Sequence, residues 1–171
     1  MRGNPFRNRP DAALEARLAE VEATVIRRLA VDLAQAVREP DEPSMRRLFP
    51  PAYLDDDRLQ EQFASLTRDE LLEGKIAAAR AVADSIDAGA LKRGRWSGVL
   101  DEETAGCWLR VLNDARLVLG TRLDVSEDME SLADDDPSTA TMNLYLWLGW
   151  LEEMLIDALA GRLPDETGTE G

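Results

Sequence analysis

The sequence predicts an all-α fold: a single-domain helical bundle of about five main helices, with at most a short hairpin near 91–100. Three observations predict it. Ala, Leu, Glu and Arg dominate, β-branched runs are scarce and only 5% of residues are aromatic, a mix that favours helix over sheet. Apolar residues recur at helical spacing through most of the chain. Start and stop signals, capping side chains before the stripes and Pro or Gly after them, punctuate those stretches. At 171 residues the chain is long enough for one domain with a real core.

Residues 1–10 read as a flexible basic arm, with Arg2, Arg7 and Arg9 among Gly and Pro. The helical domain spans 11–161. Asp11 is placed to cap a first helix running to Arg38, with Leu14, Leu18, Val21 and Val25, then Ile26, Leu29, Leu33 and Val37, along its face. It ends at Glu39-Pro40, because the residue before a proline avoids the helical region. That stripe reads as packing against its own domain, with a coiled-coil homodimer as the alternative. Residues 40–54 are proline-rich, and Leu48, Phe49 and Tyr53 are the anchors expected to pin them across helix ends.

Asp55–Asp57 open a second helix through Leu59, Phe63 and Leu66. Thr67 and Glu70 have the spacing of a capping box for a third, which runs to Ala88 with Leu72, Ile76, Ala79, Ala83 and Ile86 inward. Gly89 suits a left-handed helix end. Residues 89–100, GALKRGRWSGVL, are the one place for extended structure; Trp96 and Val99 are available to cover the edge of the core. Asp101 caps a fourth helix to Leu123, lined by Trp108, Leu112, Ala115, Leu119 and Leu123. Around it, Asn113, Asp114 and Arg116 read either as a buried polar clamp or as a solvated face. Residues 124–136 carry seven acids and no base. Ser138 or Thr139 caps the fifth helix, TATMNLYLWLGWLEEMLIDAL. Its apolar stripe of Leu144, Leu148, Leu151 and Leu155, widened by Trp147, Trp150 and Met154, predicts a place in the middle of the bundle. Gly161 ends it, and 162–171 read as a disordered tail.

Composition narrows the chemistry. A net charge of -14, from 34 acids and 20 bases, disfavours direct nucleic-acid binding and favours protein partners. There is no His, which removes the commonest general base and metal ligand at neutral pH. The single Cys107 rules out an internal disulfide in this chain, lacks a His to activate it, and reads as a small buried hydrophobe. No phosphate-binding glycine loop or nucleophile motif appears. Glu152 and Glu153 diverge by about 100° on a helix and cannot act as a dyad. The residues therefore point to no enzyme, no cofactor and no metal. A carboxylate-bound metal enzyme is the weakest reading kept open. No apolar run approaches a membrane span and the N-terminus lacks the apolar region of a signal peptide, so a cytoplasmic location is expected. The candidate partner-contact residues are Lys92, Arg93, Arg95 and Trp96 in the basic loop, and Glu127, Asp128, Glu130, Asp134 and Asp135 in the acidic one.

Three strings carry a resemblance: LFPPAYLDDDRLQEQFASLTRDELLEGK (48–75), LDEETAGCWLRVLNDARLVLGTRLDVSED (100–128) and YLWLGWLEEMLIDAL (145–159). They resemble an actinobacterial family of helical proteins, first described as a domain of unknown function, that includes the oxidative-stress regulator AosR. The resemblance implies a redox-linked regulator of transcription. It would act with an extracytoplasmic-function sigma factor on a cysteine-biosynthesis operon that uses a sulfur-carrier protein. It also implies a sensor made of two cysteines near the N-terminus, four positions apart. MRGNPFRNRP has no cysteine, so that switch does not carry over. The expected function is thus an AosR-like regulatory protein working through protein contact. The alternative is a structural or adaptor protein linked to proteolysis or sulfur metabolism.

Overall fold

A computed structural model describes residues 3–11, 13–38, 48–49, 57–123 and 137–161. It corrects the fold class. Among the described residues there are four helices and a four-stranded antiparallel sheet, so the chain is a mixed α and β fold and not all-α. The elements run β1 (Phe6–Asn8), β2 (Leu14–Ala19), α1 (Glu20–Ala36), α2 (Asp57–Asp87), β3 (Ala90–Lys92), β4 (Arg95–Leu100), α3 (Glu102–Arg122) and α4 (Pro137–Ala160). The sheet order is β1-β2-β4-β3.

Within the expected arm, residues 6–8 form a strand. Phe6 pairs with Ala16 and Asn8 with Leu14. Residues alternate along it: Phe6 is buried, while Arg7 faces out. Two asparagines fasten it to α4, Asn4 donating to the Met154 carbonyl and Asn8 to that of Ala158, each at 3.0 Å. The expected first helix is likewise two elements. Residues 14–19, LEARLA, bury Leu14, Ala16 and Leu18 and turn Arg17 to solvent, the period of two that makes a strand. The chain then enters α1 directly. Glu20 and Glu22 lie in its positive first turn, and the Glu22 carboxylate accepts the Ala19 N–H at 2.8 Å. Inside α1 the buried stripe is Ala23, Ile26, Ala30 and Leu33, while the expected stripe member Val21 is 67% exposed. That stripe packs on α2, within the same domain.

The second and third expected helices are one, α2. Neither Pro nor Gly interrupts 66–68, so the backbone continues through Thr67 and no N-terminus forms there. The hairpin is present and tight. Arg93 (φ 50°) and Gly94 (φ 72°) form a two-residue turn with both φ positive, which matches the right-handed twist of β3 and β4. Gly89 does not take a left-handed conformation. Its role is space: a Cβ there would lie 2.2 Å from Trp96 Nε1, and one on Gly98 would lie 2.6 Å from the same ring.

The inner sheet face, Leu14, Ala16, Leu18, Trp96 and Leu100, packs with the helices around Trp108. Trp108 has no exposed surface. Phe6 meets it edge-on and Trp96 stacks against it, both with centroids 6.1 Å away. Both indole N–H groups are satisfied by the end of α2. Trp96 donates to the Ile86 carbonyl (2.8 Å) and Trp108 to Ser85 Oγ (2.9 Å), which itself donates to the Val82 carbonyl. The most central helix is therefore α3, which touches α1, α2, α4 and β4. α4, expected in the middle, packs on α3 and β1. Leu148, Leu151 and Leu155 are fully buried there, but Leu146 is 59% and Ile156 49% exposed. Its first turn already includes Ser138 and Thr139, since the helix begins at Pro137, a favourable first-turn residue. Leu48 is buried and Phe49 packs on the core as expected of anchors, whereas Tyr53 lies outside the described residues. So do 124–136 and the tail 162–171.

Two ion pairs tie α3 to its neighbouring helices, so the polar group on it is not simply a solvated face. Lys75 on α2 reaches both oxygens of Asp114 on α3 (3.0 and 2.8 Å), and Arg116 on α3 reaches Glu152 on α4 (2.6 Å). Asn113 beside them is exposed. Asp114 is the buried charged residue of the described core, and Lys75 alone compensates it. Asp114→Ala leaves that half-buried ammonium without its carboxylate. It should cost about 2–4 kcal/mol in chemical denaturation, against less than about 0.5 kcal/mol for Asp32→Ala, which breaks only the exposed α1 pair with Arg28.

Asp101 caps α3 as expected, accepting the Thr104 N–H at 2.7 Å. Hydrogen bonds from Thr104 hold its carboxyl below the ordinary value of 3.8. A depressed folded-state pKa stabilises above the unfolded value and is lost as pH falls through the folded one. Asp101→Ala should therefore lower the melting temperature at pH 7. The gap to wild type should close as the pH is taken below 3.8.

Candidate functional site

β2 and β4 have opposite faces for opposite purposes. The residues between the buried ones point away from the helices: Glu15 and Arg17 on β2, and Arg95, Ser97 and Val99 on β4. Arg7 on β1 is opposite Glu15, and Lys92 on β3 is opposite Arg95, so both join this outer face. The result is a basic surface on a strongly acidic chain. Arg17 bonds Glu15 at 2.9 Å, the one acid on the outer strand positions. Arg7, Lys92 and Arg95 make no ion pair among the described residues. Arg9, just beyond β1, is neutralised by Asp11 (3.1 Å), which raises the arginine's pKa and lowers the aspartate's through their hydrogen bond.

The sequence-predicted contact residues divide three ways. Lys92, Arg93 and Arg95 are exposed and together at the turn. Trp96, grouped with them, points the other way: it is 4% exposed and sealed in the aromatic core, so it offers no contact surface. Val99, expected to cover the core edge, is instead 55% exposed on the outer face. Glu127, Asp128, Glu130, Asp134 and Asp135 lie outside the described residues. Arg17 is missed by sequence reasoning, as is the place of Arg7 on the same sheet face as Arg95. The signal for both is the strand-like alternation of NPFRN and LEARLA.

At the end of the sheet where β2 runs into α1 there is a cavity of about 420 Å³, lined by Arg7, Arg17, Arg95, Glu22 and Trp150. A shallower apolar groove of about 280 Å³ lies between α1 and α4, lined by Val21, Val25, Leu144 and Trp147, and Glu22 borders this too. Among the described residues no three or more His, Cys, Asp or Glu side chains cluster to hold a metal ion. No helix among them is long and apolar enough to cross a membrane.

Fold and surface together define an α and β domain of segregated charge, with a basic sheet face and an acidic remainder. The family model described as "Domain of unknown function (DUF2017)" matches residues 1–159, and the chain belongs to that family. It is similar to the oxidative stress regulator AosR of Mycobacterium tuberculosis and Mycobacterium bovis, with 31% identity over 140 residues, 72% of this chain and 61% of theirs. The putative oxidative stress regulator AosR of Mycobacterium leprae is 29% identical over 136 residues, 71% of this chain and 60% of its own. The chain thus spans less than two thirds of the length of these relatives. No solved structure matches it.

Cys107 is 7% exposed on α3, with Arg110 Nη2 at 3.7 Å from its sulfur. It is the chain's one thiol and it is free. Burial among apolar side chains keeps reagents away from it. A water-soluble thiol reagent should modify native protein at least about 100-fold more slowly than urea-unfolded protein, as read from absorbance at equal pH.

Proposed function

We propose that this chain is an AosR-like regulatory protein of the oxidative-stress response, acting in the cytoplasm by protein–protein contact and not by catalysis. The observation that carries the reading is the likeness to AosR over 140 residues, together with a family match that takes in nearly the whole chain. The partner class we propose is an extracytoplasmic-function sigma factor, with cysteine biosynthesis as the regulated output. The cysteine-pair switch implied by the resemblance has no counterpart in this chain, whose lone thiol is buried. Control would then rest on the presence and affinity of the partner. Charge supports contact with protein: a chain of net charge -14 is repelled by extended phosphate backbones, while its basic and acidic surfaces can each meet a complementary patch.

Affinity capture from an actinobacterial lysate, at low and moderate salt, tests the reading. The tagged chain should retain a sigma factor or another RNA polymerase component, identified by mass spectrometry. Retention of proteases, chaperones or sulfur-transfer enzymes alone would favour an adaptor instead. Recovery of neither class at either salt concentration would count decisively against regulation by contact.

A further inference from the structure

The basic cavity and the apolar groove form one strip. Glu22 borders both, and Trp150 of the first and Trp147 of the second are three residues apart on α4, hence neighbours on one side of the helix. Several side chains of the strip stay unsatisfied. Arg7 and Arg95 carry no ion pair among the described residues. The indole N–H groups of Trp147 and Trp150 have no hydrogen-bond partner there either, unlike those of Trp96 and Trp108, which are both bonded. Val21, at the far end, is 67% exposed. Unpaired arginines beside half-buried tryptophans are the composition that anchors protein interfaces. Glu22, the acid shared by both halves, is tied at the start of α1, where its carboxylate accepts the Ala19 N–H at 2.8 Å.

We infer that this strip docks an acidic, amphipathic segment of a partner protein. Carboxylates of the segment pair with Arg7, Arg17 and Arg95, and apolar side chains lie over Trp150, Trp147 and Val21. Guanidinium groups bind carboxylates through paired N–H donors, and the adjoining apolar groove suits one side of a helix or an extended segment. Both halves are needed to choose the occupant. A nucleic acid would find charge at the arginines but no use for the Val21–Leu144 half, and its flanking phosphates would run onto an acidic body. The inference rests on the contact reading above and assigns it a surface.

The test is a fluorescence-anisotropy titration with a labelled peptide of about 12 residues in which Glu and Asp alternate with Leu and Phe. The same peptide with Gln and Asn in place of the acids serves as one control, and an oligothymidylate of similar charge as the other. Four proteins are compared: wild type, the triple variant Arg7→Gln/Arg17→Gln/Arg95→Gln, Trp150→Ala, and Arg28→Gln/Arg80→Gln, which removes two arginines exposed elsewhere. Circular dichroism and melting temperature check that each folds. The acidic peptide should bind wild type saturably and weaken with salt. The triple variant should bind at least about tenfold more weakly and the Arg28/Arg80 variant should match wild type. Trp150→Ala should weaken binding even at high salt, where the charge contribution is screened. Equal binding by the triple variant, equal binding of the uncharged peptide, or tighter binding of the oligonucleotide would each overturn the inference. So would a wild-type dimer that the triple variant converts to monomer, because the strip would then belong to a second copy. Lysate capture separates the two proposals. A sigma factor retained equally by wild type and triple variant removes the strip and leaves the regulatory reading. Failure of wild type to retain any transcription protein removes that reading, while the peptide titration still decides the strip.

Discussion

Trp108 is the contact on which the rest of the structure depends. Three distant parts of the chain meet at its ring: Phe6 from β1, Trp96 from β4 and Ser85 from the end of α2. Aromatic rings of this size each bury about 150–250 Å² and prefer edge-on or offset contacts, which fixes orientation as well as proximity. The bonds from Trp96 to Ile86 and from Trp108 to Ser85 add direction, because a buried indole N–H left unpaired costs free energy. Gly89 and Gly98 belong to the same device. A methyl group on either would overlap the Trp96 ring, so together they set how closely the hairpin approaches the end of α2. The sheet is small, and its inner face completes this cluster.

Much of the helical architecture was legible because its signals are local. The Asp101 cap, a short hairpin near 91–100, the Trp108–Leu112–Ala115–Leu119 stripe and the burial of Cys107 all follow from local composition and spacing. The fold class was not, for a specific reason. Leu14 and Leu18 are four apart, and four is both one helical turn and two strand repeats, so the same pair satisfies either period. Glu15, Ala16 and Arg17 resolve it, since a strand buries Ala16 between a half-buried and an exposed charge. β1 was hidden because it is only three residues long, and two of them, Arg7 and Asn8, have little strand propensity of their own. Their order comes from pairing with β2 and from Asn4 and Asn8 on α4, contacts about 150 residues distant. α4 was misplaced because apolar content measures how much of a helix avoids water and not how many neighbours cover it. Part of that avoidance is unfulfilled at Leu146 and Ile156.

The candidate surface was half legible. Lys92, Arg93 and Arg95 stand out because they are contiguous, whereas Arg7 and Arg17 join them only through strand pairing. Trp96 shows the opposite error. Adjacent residues in a strand face opposite sides, so Arg95 being in water requires Trp96 to be in the core. Grouping a tryptophan with its basic neighbours is sound for a loop and wrong for a strand.

The same alternation ties the core to the surface. Each inward residue of β2 and β4 has an outward neighbour: Leu18 beside Arg17, Trp96 beside Arg95. A slip of one residue in either strand would carry the arginines toward Trp108 and the apolar residues into water. Transferring an unpaired guanidinium into that apolar cluster would cost far more than any gain on the outer face. The aromatic core therefore fixes the register, and the register fixes where the positive charge is displayed. Substitutions at Arg7, Arg17 or Arg95 can alter the charge of the outer face without disturbing the cluster beneath it. Substitutions at Trp96, Gly98 or Phe6 cannot leave that face intact, because the strands that present it are positioned from inside. In this fold the outer face can vary independently of the core, but the core cannot vary independently of the face.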